Sequence, residues 1–233
     1  MKTILRNEWK YIYEGTKKSL LSKIKNTNYS SLIEIFPARK VNSIYFDTAD
    51  LRLYRQTQID SIRRMKIRIR WYGDEISSNV LPQLEFKYKK FDQTKKITIE
   101  MPSIKKATTT DFKNIISPTI KKLFEQHTSD KEIPLYELFY STLCTFKITP
   151  LVFISYYRHY YLLKNKLLRI TFDENLKFGT PEGRRFHIID FKKDCKTVME
   201  IKMENFANLS NFIIISDRCS FSKFSTCMKY LYL

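Results

Sequence analysis

Apolar and polar residues alternate along most of this chain, which is the period of a β-strand with one buried face. The alternation predicts strands at residues 3–12, 39–47, 59–72, 83–90, 94–101, 151–163, 166–173, 185–191 and 197–203. Short polar stretches predict hairpin turns at residues 91–93 and around Leu163–Lys166. About eight strands at this spacing, with helices inserted, favour an α+β fold built on an antiparallel eight-stranded barrel.

A helical period occurs at fewer places. It predicts helices at residues 14–26 and 111–126, the second capped by Asp111, and a short helix at residues 222–232. Residues 132–146 fit either a helix or a strand. No internal repeat or low-complexity segment divides the 233 residues, so we expect a single domain over residues 1–233.

The formal net charge of +18 indicates a polyanionic partner. Nucleic acid, an anionic membrane surface and a phosphate-rich small molecule all fit such a charge, and nucleic acid ranks first on composition alone. The arrangement of the charges decides among them.

The most informative arrangement lies in the predicted strand at residues 59–72. Arg64, Lys66, Arg68 and Arg70 share one face of this strand, while Met65, Ile67, Ile69 and Trp71 share the other. Same-face neighbours about 6.6–6.8 Å apart repel by roughly 2.4 kcal/mol at an effective dielectric of 20, but by only about 0.6 kcal/mol in water. Four cations without one acid therefore indicate a face that surrounds a bound anion rather than a solvated one.

Three further segments place one acid beside bases on a single strand face. They are Arg6-x-Glu8-x-Lys10, Glu85-x-Lys87-x-Lys89 and Glu200-x-Lys202, and apolar residues fill the alternate positions. A closed barrel with its helices outside would turn these charged faces into a polar lumen. One such motif is typically a simple ion pair, but three of them beside the arginine-rich strand favour an anion-binding site.

The residue types in these motifs suit phosphate and a hard metal ion. Arg and Lys bind phosphate, and Arg does so with two parallel hydrogen bonds. Carboxylates are ligands for Mg²⁺ or Mn²⁺, which makes Glu8, Glu85 and Glu200 candidate metal ligands. Many cations around few carboxylates predict a metal–polyphosphate site, with nucleic acid as a less favoured partner.

The four cysteines form no CxxC pair, and no apolar run approaches the roughly 20 residues that cross a bilayer. The N-terminal residues turn polar before they could form the core of a signal peptide. We therefore expect a cytoplasmic protein without a transmembrane segment, although a membrane-bound partner stays compatible with the sequence.

Taken in order, a series of short motifs resembles the VTC (vacuolar transporter chaperone) polyphosphate polymerase domain, of the triphosphate tunnel metalloenzyme superfamily. The resemblance runs from Arg6 to about residue 230. The matching segments are Arg6-x-Glu8-x-Lys10-Tyr11, Ser43-Ile44-Tyr45-Phe46-Asp47-Thr48, Lys66 to Gly73, Glu85-Phe86-Lys87, Tyr156-Tyr157-Arg158, Arg169-Ile170-Thr171-Phe172-Asp173, Met199-Glu200-Ile201-Lys202 and Phe221-Ser222-Lys223-Phe224.

The resemblance implies an eight-stranded antiparallel tunnel that transfers the γ-phosphoryl group of ATP to a growing polyphosphate chain. It implies that Glu200 holds the Mn²⁺ or Mg²⁺ ion and that Arg68, Arg70, Lys223 and Glu200 carry the reaction. The implied phosphate contacts are Lys10, Arg68, Arg70, Lys87, Lys89, Lys96, Tyr156, Arg158, Ser222 and Lys223. A further lysine contact is expected on the strand after Glu85, where Lys95 and Lys96 both qualify and Lys96 is preferred.

Two positions depart from the resemblance. Many relatives in the superfamily begin with Glu-x-Glu-x-Lys, whereas this chain has Arg6 at the first position, which favours the polymerase over the hydrolase branch. Lys89 stands where the best-studied branch has histidine. A tripolyphosphatase or nucleoside triphosphatase on the same tunnel, a non-enzymatic polyphosphate or inositol polyphosphate binder, and a nucleic-acid-binding protein stay open as alternatives.

Overall fold

We analysed the protein through a computed structural model. The structure describes residues 7–25, 32–59, 62–73, 81–91, 93–101, 133–163, 168–182, 185–190, 196–203, 219 and 221–232.

Nine strands and four helices lie within the described residues. The strands are β1 (Asn7–Glu14), β2 (Leu32–Thr48), β3 (Arg63–Tyr72), β4 (Gln83–Lys90), β5 (Gln93–Glu100), β6 (Ile148–Leu163), β7 (Leu168–Glu182), β8 (Arg185–Asp190) and β9 (Lys196–Met203). The helices are α1 (Lys17–Lys25), α2 (Arg52–Gln58), α3 (Ile133–Thr145) and α4 (Lys223–Tyr232).

The strands form one hydrogen-bonded sheet in the order β1-β9-β7-β6-β2-β3-β4-β5, with β8 paired to β7. The pairs β1–β9, β7–β9, β3–β4 and β4–β5 are antiparallel, which confirms the predicted α+β antiparallel fold. Strands β1 and β5 stand at the two ends of this order, and no backbone hydrogen bonds pair them among the described residues. Hydrogen bonding therefore does not close the expected barrel.

Most predicted elements are confirmed, with shifted ends. Residues 132–146, which the sequence left open, form helix α3, and strand β2 begins seven residues before its predicted start. Helix α2 was not predicted. The helix predicted at residues 111–126 lies outside the described residues.

The chain divides into two compact units. Unit 1 contains Met1–Val41, Ser155–Phe178 and Ile189–Thr226, and unit 2 contains Asn42–Ile154, Gly179–Ile188 and Cys227–Leu233. The single domain over residues 1–233 stays a prediction.

The core of unit 2 confirms the predicted two faces of β3. Ile67, Ile69 and Trp71 are buried, and helix α3 covers the same apolar cluster. The ring of Phe86 on β4 stacks on that of Phe139 on α3, with centroids 4.4 Å apart. Because this apolar face is buried against α3, the charged residues of β3 point to the opposite side of the sheet.

The core of unit 1 is organised in the same way. Leu20 and Ile24 of helix α1 are fully buried in a cluster with Phe172 of β7 and with Met199 and Ile201 of β9. Most of the alternate residues of these strands are charged or polar. Here too, a helix covers the apolar face and leaves the charged face on the other side.

Helix α2 depends on one buried carboxylate at the end of β2. The Oδ1 atom of Asp47 accepts hydrogen bonds from the backbone N–H groups of Thr48 (2.7 Å) and Leu53 (2.9 Å), and Oδ2 accepts one from that of Tyr54 (2.8 Å). Burial raises the pKa of Asp47, although these hydrogen bonds oppose the rise. Asp47 therefore caps the helix.

We expect Asp47→Ala to lower the free energy of unfolding by about 2 kcal/mol, because it leaves buried backbone N–H groups without an acceptor. Denaturant unfolding measures the change. Glu137→Ala on the exposed side of α3 is the control and should stay within about 0.5 kcal/mol of the original protein. A loss for Asp47→Ala as small as that of the control would show that the cap is unimportant.

Candidate phosphate-binding faces

Three neighbouring strands of unit 2 carry most of their charged side chains on one common face. Lys66 of β3 lies opposite Lys87 of β4, which in turn lies opposite Lys96 of β5. We call this surface the β3–β5 face. Its members are Arg64, Lys66, Arg68, Arg70, Gln83, Glu85, Lys87, Lys89, Thr94, Lys96, Thr98 and Glu100. Lys95 pairs with Tyr88 on the other face, which agrees with the preference for Lys96.

Glu85 lies at the centre of the β3–β5 face and is only 3% exposed. Its Oε2 accepts a hydrogen bond from Nε of Arg68 at 2.5 Å and also contacts Nη2 of that residue. Its Oε1 lies 2.8 Å from Nζ of Lys96 and 3.6 Å from Nη1 of Arg70. The Tyr45 hydroxyl accepts a further hydrogen bond from Nη1 of Arg68 at 2.8 Å. Glu85 and Tyr45 therefore hold the Arg68 guanidinium in place.

These contacts correct one part of the sequence argument. The face of β3 itself carries four cations and no acid, but β4 supplies Glu85 directly opposite Arg68. Burial alone would raise the pKa of Glu85, but Arg68, Arg70 and Lys96 outweigh it and lower that pKa from 4.5 to about 2. Repulsion between the cations is therefore partly offset within the folded protein.

Glu85 should make the protein sensitive to acid. Because its pKa is lower in the folded protein than in the unfolded chain, its contribution is complete above about pH 5 and is lost as the pH falls towards 2. The shift corresponds to at most about 3.4 kcal/mol. We expect the unfolding free energy of Glu85→Gln to fall less steeply than that of the original protein over this window. Equal acid dependence of the two proteins would contradict the assignment.

A second charged face lies on β1, β9 and β7 of unit 1. Glu200 of β9 lies opposite Lys10 of β1 on one side and Thr171 of β7 on the other. We call this surface the β1–β9–β7 face. Its charged members are Glu8, Lys10, Glu14, Arg169, Asp173, Lys196, Glu200 and Lys202, and Arg158 of β6 and Lys223 of α4 reach it.

Asp173 is the most deeply buried charge of this face, with no exposed surface. Arg158 binds it through two parallel hydrogen bonds, Nε to Oδ1 at 2.6 Å and Nη2 to Oδ2 at 2.8 Å. Nζ of Lys223 lies 2.5 Å from Oδ2. Burial opposes ionisation, but the two cations keep the pKa of Asp173 below its ordinary value. Asp173 thus fixes the positions of an arginine and a lysine.

Glu200 lies beside this group. Its Oε1 is 2.9 Å from Nζ of Lys202, and its Oε2 is 3.8 Å from Nη2 of Arg158. Burial would raise the pKa of Glu200, but Lys202, Arg158, Lys10 and Lys223 together hold it well below the ordinary range. Glu200 therefore stays ionised at any physiological pH.

Three buried polar atoms on the two faces have no hydrogen-bond partner within the described part of the chain. They are Oγ of Ser43 and Nε of Arg70 in unit 2, and Oγ1 of Thr171 in unit 1. Ser43 and Tyr45 alternate with buried Ile44 and Phe46, so Ser43 lies on the same side of the sheet as the β3–β5 face. A buried donor without an acceptor costs about 1–3 kcal/mol. A bound oxyanion would provide the missing acceptors.

The remaining predicted residues take several positions. Lys87, Lys89 and Lys96 lie on the β3–β5 face, and Lys10 contacts Glu8 at 2.9 Å and donates to the Phe221 carbonyl at 3.2 Å. Ser222 caps helix α4, because its Oγ accepts a hydrogen bond from the Ser225 N–H at 3.2 Å.

The buried Tyr156 ring lies under Lys223 and Arg158, with its centroid 4.7 Å from the Lys223 Nζ and 5.3 Å from the Arg158 Cζ. It supports these two cations from below.

Sequence reasoning missed the roles of four residues, namely Ser43, Tyr45, Thr171 and Asp173. All four lie within motifs that carried the family resemblance, and alternation puts each on a polar strand face. Their alternate positions along the strands were the sequence feature that could have identified them. The partner of each residue depends on strand register, which parity alone does not provide.

The β1–β9–β7 face also fits a divalent metal ion of a particular kind. Glu8 and Glu200 lie on the same face of paired strands, as diagonal neighbours. No group of three His, Cys, Asp or Glu side chains gathers as a metal cage within the described residues. Mg²⁺ characteristically uses one or two carboxylates and completes its shell with water and phosphate oxygens. The donor set of Glu8 and Glu200 fits such an ion, and Glu85 stays the weaker candidate ligand on the β3–β5 face.

No helix in the described part of the chain is both long and apolar enough to cross a membrane.

Comparison with solved structures finds proteins of similar size and low identity. A Pyrococcus horikoshii protein matches with a TM-score of 0.48 and 12% identity, covering 96% of this chain and 99% of its own. An inferred adenylate cyclase of Vibrio parahaemolyticus matches with a TM-score of 0.48 and 11% identity, covering 94% and 95%. Another, of Bacillus halodurans, has a TM-score of 0.47 and 12% identity, covering 98% and 99%. Likeness at this level decides no function.

No curated protein matches the chain significantly. The family model described as the VTC domain matches residues 6–232. That range includes both charged faces and nearly the whole sequence, so the chain belongs to the VTC domain family.

Proposed function

We propose that this protein is a metal-dependent polyphosphate polymerase that transfers the γ-phosphoryl group of ATP to the end of a polyphosphate chain. The observation that carries the proposal is the pair of charged faces, on which buried carboxylates hold arginine and lysine side chains beside polar atoms that find no partner among the described residues. Membership of the VTC domain family supports a phosphate-chain substrate.

Phosphate binding would use the fixed cations. Arg68 and Arg158 keep their guanidinium groups in defined orientations through Glu85 and Asp173. Preorganised guanidinium groups bind phosphate oxygens with little loss of side-chain entropy. Arg70 and Lys223, each fixed by one of the same two carboxylates, would add charge along the phosphates.

Glu200, with Glu8 as its neighbour, would hold the Mn²⁺ or Mg²⁺ ion. When bound, such an ion offsets negative charge on the phosphate oxygens. Because cations keep the Glu200 carboxylate ionised, it is ready to bind a metal without first losing a proton.

The low pKa values also bear on the type of reaction. A general base near neutral pH needs a pKa close to the working pH, whereas those of Glu85, Asp173 and Glu200 are all lowered. The terminal oxygen of a phosphate chain is already anionic and needs no such base. Hydrolysis would instead need an oriented water, for which Glu8 and Glu85 are the candidate bases, and the lowered pKa of Glu85 makes that carboxylate a weak base.

Product analysis tests the proposal. The purified protein is incubated with ATP and Mn²⁺ or Mg²⁺, with and without a pyrophosphate primer, and the phosphate chains are separated on a gel. We expect long chains from the original protein and none from Glu200→Gln, which should remain folded. Orthophosphate as the main product would show a hydrolase, and unchanged ATP would show a binding protein.

A further inference from the structure

Three large apolar side chains are more than half exposed near one end of the β3–β4–β5 sheet. Ile59 is 76% exposed, Ile62 59% and Phe91 64%. The backbone N–H of Phe91, in the β4–β5 turn, donates to the carbonyl of Ile62, just before β3, at 3.0 Å. Ile59 is three residues from Ile62, so their Cα atoms are at most about 11 Å apart. We call these three residues the apolar tip.

The backbone at the apolar tip is strained at one position. Phe91 has a φ of 50°, in the left-handed region that a bulky residue rarely adopts. Glycine or asparagine would relieve this strain, yet the chain carries a phenylalanine whose ring faces solvent. Strained residues of this kind are concentrated at functional positions.

Basic side chains adjoin the tip. Arg63 of β3 lies opposite Lys90 of β4, and both are exposed, as is Lys95 of β5. Lys90 and Lys95 lie on the side of the sheet opposite the β3–β5 face, because Lys95 pairs with Tyr88 and Lys90 with Gln93. Asp60 and Asp92 are the acids nearest in sequence, and both lie outside the described residues. In sequence, the three cations Arg63, Lys90 and Lys95 outnumber these two acids.

We propose that the apolar tip and its neighbouring lysines dock on an anionic phospholipid bilayer. Exposed isoleucine and phenylalanine side chains gain free energy by entering the interfacial region of a membrane, and lysines beside them gain from anionic headgroups. The combination of both in one place is what such docking requires.

Other partners fit less well. Nucleic acid would use the cations but would gain little from two aliphatic isoleucines, which neither stack on bases as aromatic rings do nor form hydrogen bonds. A second copy of the chain would bring identical basic groups together across a two-fold interface. The bilayer is the occupant that uses both the apolar and the basic groups.

Vesicle sedimentation tests the proposal, with phosphatidylcholine vesicles that contain or lack phosphatidylserine. We expect the full chain to bind the phosphatidylserine vesicles at least tenfold more tightly, and added salt to weaken the binding. The double variant Ile62→Ser/Phe91→Ser should lose at least tenfold in affinity. The double variant Lys90→Glu/Lys95→Glu should lose about twentyfold or more, since each lysine contributes about fivefold.

Matched controls separate this surface from general stickiness and from the phosphate-binding faces. Lys147→Glu/Lys229→Glu and Phe36→Ser alter exposed lysines and an exposed phenylalanine elsewhere, and they should bind vesicles like the original protein. Arg68→Ala should do so too, because Arg68 belongs to the β3–β5 face. Failure of the original protein to bind, equal losses in the controls, or tip variants that bind normally would each overturn the proposal.

Discussion

Replacing Asp173 by asparagine is expected to lower the free energy of unfolding by about 3–5 kcal/mol. The substitution keeps the shape of the side chain but removes the charge that Arg158 and Lys223 share. An amide also offers only one oxygen, so its NH₂ group would face a donor of the guanidinium or ammonium group. Two cations would then lack their buried partner, which is why the effect should be large.

The loss should be smaller in the presence of a phosphate chain. If Arg158 and Lys223 contact phosphate, tripolyphosphate supplies negative charge to both and should stabilise Asp173→Asn more than it stabilises the original protein. Denaturant unfolding, with and without tripolyphosphate, measures both effects. Glu137→Gln on the exposed side of helix α3 is the matched control, and it should remain within about 0.5 kcal/mol of the original protein. An Asp173→Asn loss below about 1 kcal/mol would contradict the role assigned to this carboxylate.

Arg68→Ala is expected to reduce turnover at least tenfold and to destabilise the protein as well. One charge-assisted contact to phosphate is worth about 1.5–3 kcal/mol, which corresponds to a factor of about 10 to 150. Removing one of four like charges from β3 would by itself leave the free energy of unfolding level or raise it. The structure reverses the sign, since Glu85 is buried and loses its closest partner.

Two companion variants make the result specific. Arg68→Lys keeps the charge but loses the planar fork and the hydrogen bond to Tyr45, so it should restore turnover poorly. Arg52→Ala removes a half-exposed arginine that lies over the Phe146 ring at 4.3 Å, and turnover should not change. Turnover of Arg68→Ala equal to that of Arg52→Ala would remove Arg68 from the phosphate site.

Strand faces could be predicted from the sequence, but partners across strands could not. Alternation placed Ile67 and Ile69 in the core and the arginines of β3 on the other side, and the structure agrees. The pairing of Arg68 with Glu85 depends on the register between β3 and β4. A shift of one residue would have changed the partner, and no sequence pattern in the β3–β4 segment specifies that shift.

Helix α2 was missed for a related reason. Its sequence, Arg52–Gln58, buries only Leu53 and Tyr54 and is seven residues long, which is too short for a clear helical period. The helix is stabilised instead by Asp47 at the end of the preceding strand. This carboxylate was visible in a family motif, but its function as a cap became apparent only with the structure.

The most direct test of the account compares the binding of tripolyphosphate and sulfate to the original protein at physiological ionic strength. If the charged faces bind a chain of phosphates, tripolyphosphate at about 100 times its dissociation constant should add about 2.7 kcal/mol to the free energy of unfolding. Sulfate at the same concentration should add far less, because a single small anion contacts few of the fixed cations. Equal stabilisation by the two anions would show that the charge is diffuse and would contradict the assignment of a phosphate-chain site.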